Sequence, residues 1–327
     1  MDHTCGYLGR QGVLISVLAF ALLITPQLLP AEVIPIHEGF LGHLQHYQVK
    51  KKESLIEIAR KFDVGFNEIM AANPGIDPFV PESGTLITIP TAWILPTLSS
   101  RPSVVINLPE FRLYYLPKPP SQMVLTFPLG IGDQGTDTPL GGYHVVEKIV
   151  KPAWHVPPSI RKKEPMLPKV MPPGPHNPMG SHALRLSSHD ILIHGTNRPW
   201  GIGRRSSHGC LRLYPEDIVT LFRVVAKGTP VVIIDQPVKI GTKGHRIFLE
   251  AHRKDRSLVT VGDVVQRLAD KGMLGRTDFA KLIRVMEERR GIPLDVTLDF
   301  SAGKAPAGRE TGPAGQPAPL VRSRATP

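Results

Sequence analysis

The sequence predicts a mainly β chain built from small units: a βααβ module near the N-terminus, a larger sheet assembly interrupted by one helix, and a small α-rich segment behind it. Two observations carry this. Short β-branched and aromatic runs, "SVVINLPEFRLYYL", "MVLTFPLGIG" and "TDTPLGGYHVVEKIV", are separated by turns bearing proline and glycine. Apolar residues at helical spacing are confined to brief stretches near residues 54–73, 215–225 and 258–291.

The chain begins with Arg10 as its one strong cation, runs "GVLISVLAFALLI" over residues 12–24 without a charge, and breaks at Pro26 and Pro30 before Ala31. Residues 1–31 have the layout of a secretory signal, with an uncleaved membrane anchor as the alternative because the apolar stretch extends to Leu29. Export is expected, and cleavage near Ala31 removes Cys5. Cys210 is then the only thiol in an oxidising compartment, where a single cysteine is either buried and inert or retained for use. The formal charge of +11 favours an acidic partner. Export argues against nucleic acid, and no aromatic-interleaved basic run or zinc-finger spacing supports it.

Residues 46–91 form the first module. "YQVKKKESLIEIARKF" opens as an alternating strand, then offers Ser54 as an N-cap with Glu57 three residues on, followed by apolar Leu55, Ile58, Ala59 and Phe62. A second short helix around "NEIMAAN" stops at Asn73-Pro74-Gly75, and "GTLITIP" returns as a strand. This order and these segments resemble the LysM family, which implies binding of N-acetylglucosamine-containing wall glycans. Lys52-Glu53 stands where the family usually has Gly-Asp or a similar pair.

Residues 91–102 read as a linker, and the sheet assembly spans 102–236. Its one helix begins at Pro215, carries Ile218, Leu221, Phe222 and Val225, and stops at Gly228. Residues 151–180 hold nine prolines, which exclude a regular helix and leave an extended excursion of the kind that serves as a binding loop or lid.

The chemistry centres on "DILIHGTNRPWGIGRRSSHGCLRLYPED". His194 ends an apolar run that reads as a buried strand, and Cys210 follows sixteen residues later. A thiol of ordinary pKa, about 8.5, needs an imidazole or a positive backbone end to become a nucleophile at neutral pH. His194 and His208 are both candidate bases, and Gly209 lets the backbone turn so that the N–H groups of Gly209 and Cys210 face one carbonyl oxygen. A zinc site from His194, His208 and Cys210 lacks a fourth ligand. A papain-like protease has its cysteine before its histidine, the reverse of this order. A disabled enzyme that only binds the wall is disfavoured by the presence of both nucleophile and base. His176, His182 and His189 read as polar loop residues.

"IHGTNRPWGIGRRSSHGCLRL", together with "TPLGGYHV", "PPGPHNPMG" and "ALRL", resembles the signature of the YkuD-type L,D-transpeptidases over residues 102–236. With the preceding LysM-like module it is similar to the periplasmic Gram-negative branch. The resemblance implies a β-sandwich and no cofactor or metal. It implies Cys210 as nucleophile, His194 as proton acceptor and donor, and the Gly195 carbonyl orienting His194. Ser207, His208 and Gly209 shape the nucleophile loop and oxyanion hole. Arg198, Trp200 and Arg212 are the expected substrate contacts, alongside Ser207, with core packing the alternative for Trp200. The substrate implied is peptidoglycan: a tetrapeptide cut between diaminopimelate and D-alanine, the acyl group passing to another diaminopimelate or to an outer-membrane lipoprotein lysine. An L,D-carboxypeptidase is the alternative. Residues 237–300 read as an accessory unit with a hairpin and two helices, and 301–327 as a disordered tail.

Overall fold

The computed structural model describes residues 33–98, 100, 102–188, 190–253 and 259–299. The expected signal, the expected tail and His189 lie outside the described residues.

In the first module, strand Gln45–Gln48 pairs antiparallel with Leu86–Ile89 around helices α1 (Leu55–Lys61) and α2 (Phe66–Ala72). The capping box closes as the sequence predicts. The Glu57 N–H donates to Ser54 Oγ at 3.4 Å and the Ser54 N–H to Glu57 Oε2 at 2.8 Å, satisfying two donors that the first turn leaves without helical partners. Helix α2 ends at Asn73, whose amide bonds the Ile69 and Thr88 carbonyls, tying the helix to the returning strand.

Eleven strands form the main sheet, in the order Leu211–Arg212, Leu192–His194, His182–Leu186, Gly141–Val150, Pro230–Ile234, Val104–Asn107, Arg112–Tyr115, Met123–Pro128, Val33–His37, Phe40–Gly42, Ala92–Ile94. Mainly β architecture is thus as expected. Because successive side chains leave a strand on opposite faces, the central strands serve two cores. Val104, Ile106, Leu113 and Phe127 meet Ile218 and Leu221 on one face; Val105, Tyr114, Leu116 and Val124 meet Leu55, Ile58 and Ile69 of the first module on the other. Each such buried side chain contributes about 1.5–3 kcal/mol relative to exposure, so the module is held as part of the sheet's packing.

Two sequence expectations are corrected. Residues 91–102 are not simply a linker, since Ala92–Ile94 is an edge strand of the main sheet with Trp93 and Ile94 buried. The excursion 151–180 does contain a helix, α3 (Pro158–Lys163). Pro157 and Pro158 stand at its entrance, where an N–H would have no helical partner, and it ends before Pro165. Strands Trp154–His155 and Val170–Met171 close this excursion into a hairpin-like flap. The C-terminal unit holds the expected hairpin and two helices, joined by one further short strand. Strands Val238–Lys243, Arg246–Ala251 and Leu294–Asp295 form a sheet under helices α5 (Val261–Asp270) and α6 (Phe279–Glu288). It is pinned to the main sheet by buried Lys239, whose ammonium lies 2.9 Å from Glu110 and 2.8 Å from Glu250. Helix α4 (Pro215–Val224) is the one predicted after the cysteine.

Candidate active site

Strands Leu192–His194 and Leu211–Arg212 run parallel, with Ile193 opposite Leu211 and His194 opposite Arg212. Ile193 and Leu211 point into the core, so Leu192, His194, Cys210 and Arg212 share the other face. That register sets Arg212 directly beside His194 and places Cys210, the residue before the second strand, two positions along on the same face. The Cys210 thiol is half-buried and donates to the Asp190 carbonyl at 3.6 Å rather than to the imidazole.

His194 is buried, and its Nδ1 lies 2.6 Å from the Gly195 carbonyl. A carbonyl only accepts, so Nδ1 carries the proton and Nε2 is the acceptor of the neutral ring. Burial first, and then the Arg212 guanidinium, push the imidazole down to about 4, against a smaller pull from the Gly195 and Met179 carbonyls. Burial pushes the Cys210 thiol up, opposed by the Leu192 backbone and Arg212. At neutral pH the two groups therefore rest as thiol and neutral imidazole, not as an ion pair.

The loop that leads into Cys210 is braced from the segment 133–138. The Thr136 hydroxyl and the Asp133 N–H donate to the Ser207 carbonyl at 3.2 and 2.8 Å, and Thr138 Oγ1 donates to the Gly209 carbonyl at 3.1 Å. Ser207, itself buried, turns its hydroxyl onto the Cys210 carbonyl. Gly209 has φ +92°, a conformation that an L side chain adopts at a cost, so glycine here fixes the turn immediately before Cys210. The only signal in the sequence was the cluster of Asp and Thr residues in "GDQGTDTP", which reads as a turn and nothing more.

Beside the loop opens a cavity of about 280 Å³, lined by His208, Arg198 and Arg212 and roofed by Trp154, Ile160 and Leu167 of the flap. Two guanidinium groups converging on a partly apolar pocket suit a carboxylate-bearing ligand. His208 is exposed and faces this cavity, with His176 on its wall. Trp200 is 50% exposed on the turn Pro199–Gly201 and does not line the cavity. His182 packs against the Phe222 ring, 4.6 Å between centroids. The flap is anchored by Asn177, almost wholly buried, whose amide donates to the Pro152, Met171 and Pro172 carbonyls and whose Oδ1 accepts from the Met179 N–H. Gly180, three residues on, packs so closely on Gly195 that a Cβ there would stand 2.8 Å from the Gly195 carbonyl carbon.

Residues 101–233 match the L,D-transpeptidase catalytic domain (YkuD), and residues 47–90 match the LysM domain. The probable L,D-transpeptidase YcfS of Escherichia coli (strain K12) is 40% identical over 262 residues, covering 74% of this chain and 80% of that protein. The probable L,D-transpeptidase YbiS of the same organism is 42% identical over 229 residues, covering 68% and 70%. Among solved structures, the NMR structure of the catalytic domain from E. faecium L,D-transpeptidase aligns with 41% of this chain and 97% of that chain, at 21% identity and a TM-score of 0.32.

Proposed function

This chain belongs to the L,D-transpeptidase family, and from that premise we propose that it is an exported, periplasmic enzyme that remodels peptidoglycan through a thioester on Cys210. In the first half-reaction the Cys210 thiol gives its proton to His194 Nε2 while sulfur attacks the carbonyl at the L-centre of diaminopimelate in a tetrapeptide stem. The C–N bond to D-alanine breaks, and the imidazolium returns the proton to the leaving amine. In the second, an acceptor amine attacks the thioester, losing its proton through His194 to the departing thiolate. The acceptor is another diaminopimelate or a lipoprotein lysine; water as acceptor makes the enzyme a carboxypeptidase.

The observation that supports this reading is a neutral, buried His194, its Nδ1 held by Gly195, on the same face as Cys210, which immediately precedes the adjoining parallel strand. A base needs an empty nitrogen at working pH, and this one has it. His208 and Gly209 take the loop and oxyanion roles, while Arg198 and Arg212 receive substrate carboxylate with Ser207 fixing the loop. Trp200 offers an exposed ring for a glycan or peptide face. Residues 46–91 supply glycan affinity as a LysM module, 102–236 the catalysis and 237–300 a fixed accessory unit.

The test is incubation of the mature protein with disaccharide-tetrapeptide. D-Alanine should be released and dimers formed, or lipoprotein adducts when that acceptor is supplied, and Cys210→Ala should abolish both. Release without adducts makes the protein a carboxypeptidase; no release at all removes the catalytic reading.

A further inference from the structure

The module over residues 47–90 touches the chain on both sides of the cysteine. Upstream, the Phe66 and Asn67 N–H groups donate to the Ile202 and Gly203 carbonyls, both at 3.3 Å. This approach needs glycine on each chain. A Cβ on Gly65 would stand 2.8 Å from Gly203 Cα, and one on Gly203, which has φ +78°, would stand 2.2 Å from the Phe66 nitrogen. Next along, the Arg204 guanidinium lies 3.7 Å from the centre of the Phe66 ring. Its Nε and Nη2 are buried without hydrogen-bond partners, so the ring face is the contact that holds this side of the cation.

Downstream, Tyr214 donates its hydroxyl to the Val64 carbonyl at 3.2 Å, and Arg60 pairs with Glu216 at 3.3 Å. Between the two flanks, Glu68 of α2 receives two bonds from Arg112 at 2.8 and 2.9 Å, and the same guanidinium stacks on Trp93 at 4.1 Å. Arg204 precedes Cys210 by six residues and Tyr214 follows it by four. The chain entering and the chain leaving the nucleophile loop are therefore clamped by one unit.

We propose that this module is a brace for the nucleophile loop, with Phe66 and Arg204 acting as positioning residues for Cys210. The inference rests on the reading of Cys210 as nucleophile. Arg204 passes the restraint on directly, because its carbonyl accepts from the Ile131 N–H at 3.1 Å and the next residue begins the strand Arg205–Ser207 that pairs with Ile131–Gly132. Loosening the ring–guanidinium contact frees that strand, and with it the loop that ends in Cys210. A loosened loop exposes the thiol while losing its alignment to His194, so two reactivities move in opposite directions.

The experiment uses the full chain and two probes. Alkylation of Cys210 by iodoacetamide, resolved by peptide mass so that Cys5 is read separately, reports accessibility across pH. Acylation by a carbapenem, followed by intact mass, reports alignment and is split into a saturating rate and a half-saturating concentration. Phe66→Ala should raise alkylation about tenfold and lower the saturating acylation rate about tenfold, leaving half-saturation nearly unmoved, whereas Phe66→Tyr should restore both. Arg204→Ala reads the contact from its other side and decides the matter if Phe66→Ala is insoluble. Arg290→Gln, which releases the bonds at 3.2 Å and shorter from Arg290 to the Ala72 carbonyl at the far end of α2, should leave both reactivities at the wild-type level. The brace is refuted if folded Phe66→Ala or Arg204→Ala keeps wild-type alkylation, or if Arg290→Gln shifts it as much. A wild-type chain that alkylates but never acylates refutes the transpeptidase reading instead, and the alkylation arm alone then decides on the brace.

Discussion

Lowering the pH should unfold this protein through one histidine more than through any other. His194 is buried and its imidazole is pushed from 6.5 down to about 4, whereas the unfolded chain takes up its proton near the ordinary value. A depressed folded value means that the stability is intact above 6.5 and is lost as pH falls through about 4. At about 1.4 kcal/mol for each tenfold in proton affinity, the gap corresponds to about 3 kcal/mol. The assay is denaturant unfolding of the wild type and of His194→Gln, whose neutral amide can still donate to the Gly195 carbonyl, at about pH 7 and about pH 4. Every other titrating group is common to both proteins, so its contribution cancels in the difference. The wild type should lose about 3 kcal/mol more than the variant. Parallel losses would refute both the buried neutral ring and the proton acceptor built on it. The same protonation should give carbapenem acylation an acid limb with its midpoint near 4, the rate being level above it until the thiol itself ionises.

Two further outcomes follow from buried partners. Arg112→Ala leaves the Glu68 carboxylate buried without its cation and should cost about 3–5 kcal/mol in thermal unfolding, while the paired change Glu68→Met with Arg112→Met should recover much of it, because the desolvation penalty goes with the charges. Asn177→Ala removes the flap's anchor; hydrogen exchange should rise over residues 151–180 with the global melting temperature little changed, and acylation should slow as Gly180 loosens against Gly195.

What was legible in the sequence was what local chemistry dictates. Ser54 and Glu57 are three residues apart, so their reciprocal bonds could be read directly, and Pro215 announced the start of α4. His194 and Cys210 were legible as candidates by residue type and spacing, and the parallel register places both on the face opposite Ile193 and Leu211. The flap helix was hidden because prolines were counted rather than placed; two stand where a helix tolerates them. Partners distant in sequence were invisible. Glu68, on a short amphipathic helix, reads as a solvent-facing residue until Arg112, forty-four positions on, arrives beneath it. Trp93 looked like part of a linker because a strand of three residues has no periodicity of its own, and its pairing with Leu41 is set by the sheet. Thr136 and Thr138 stand in a stretch that reads only as a turn, since the bonds they make go to carbonyls seventy-one residues away.

Arg212 shows how the site's charges fit the proposed chemistry. Its guanidinium lowers both the imidazole of His194 and the thiol of Cys210. Proton transfer from thiol to imidazole makes a thiolate, which Arg212 favours, and an imidazolium, which it disfavours. The two effects oppose one another, so Arg212 is a poor activator of the pair when the site is empty. Its Nε is buried without a partner, and its side chain lines the cavity with Arg198. A carboxylate drawn to both guanidinium groups offsets their positive field at His194. The imidazolium then becomes easier to form and the thiolate harder, so a bound carboxylate leaves the balance between the two groups to their burial. Under the proposed function, it is burial that keeps the Cys210 thiol protonated and slow to oxidise, because the thiolate is the reactive form, and substrate binding has to align the thiol with His194 rather than supply the charge.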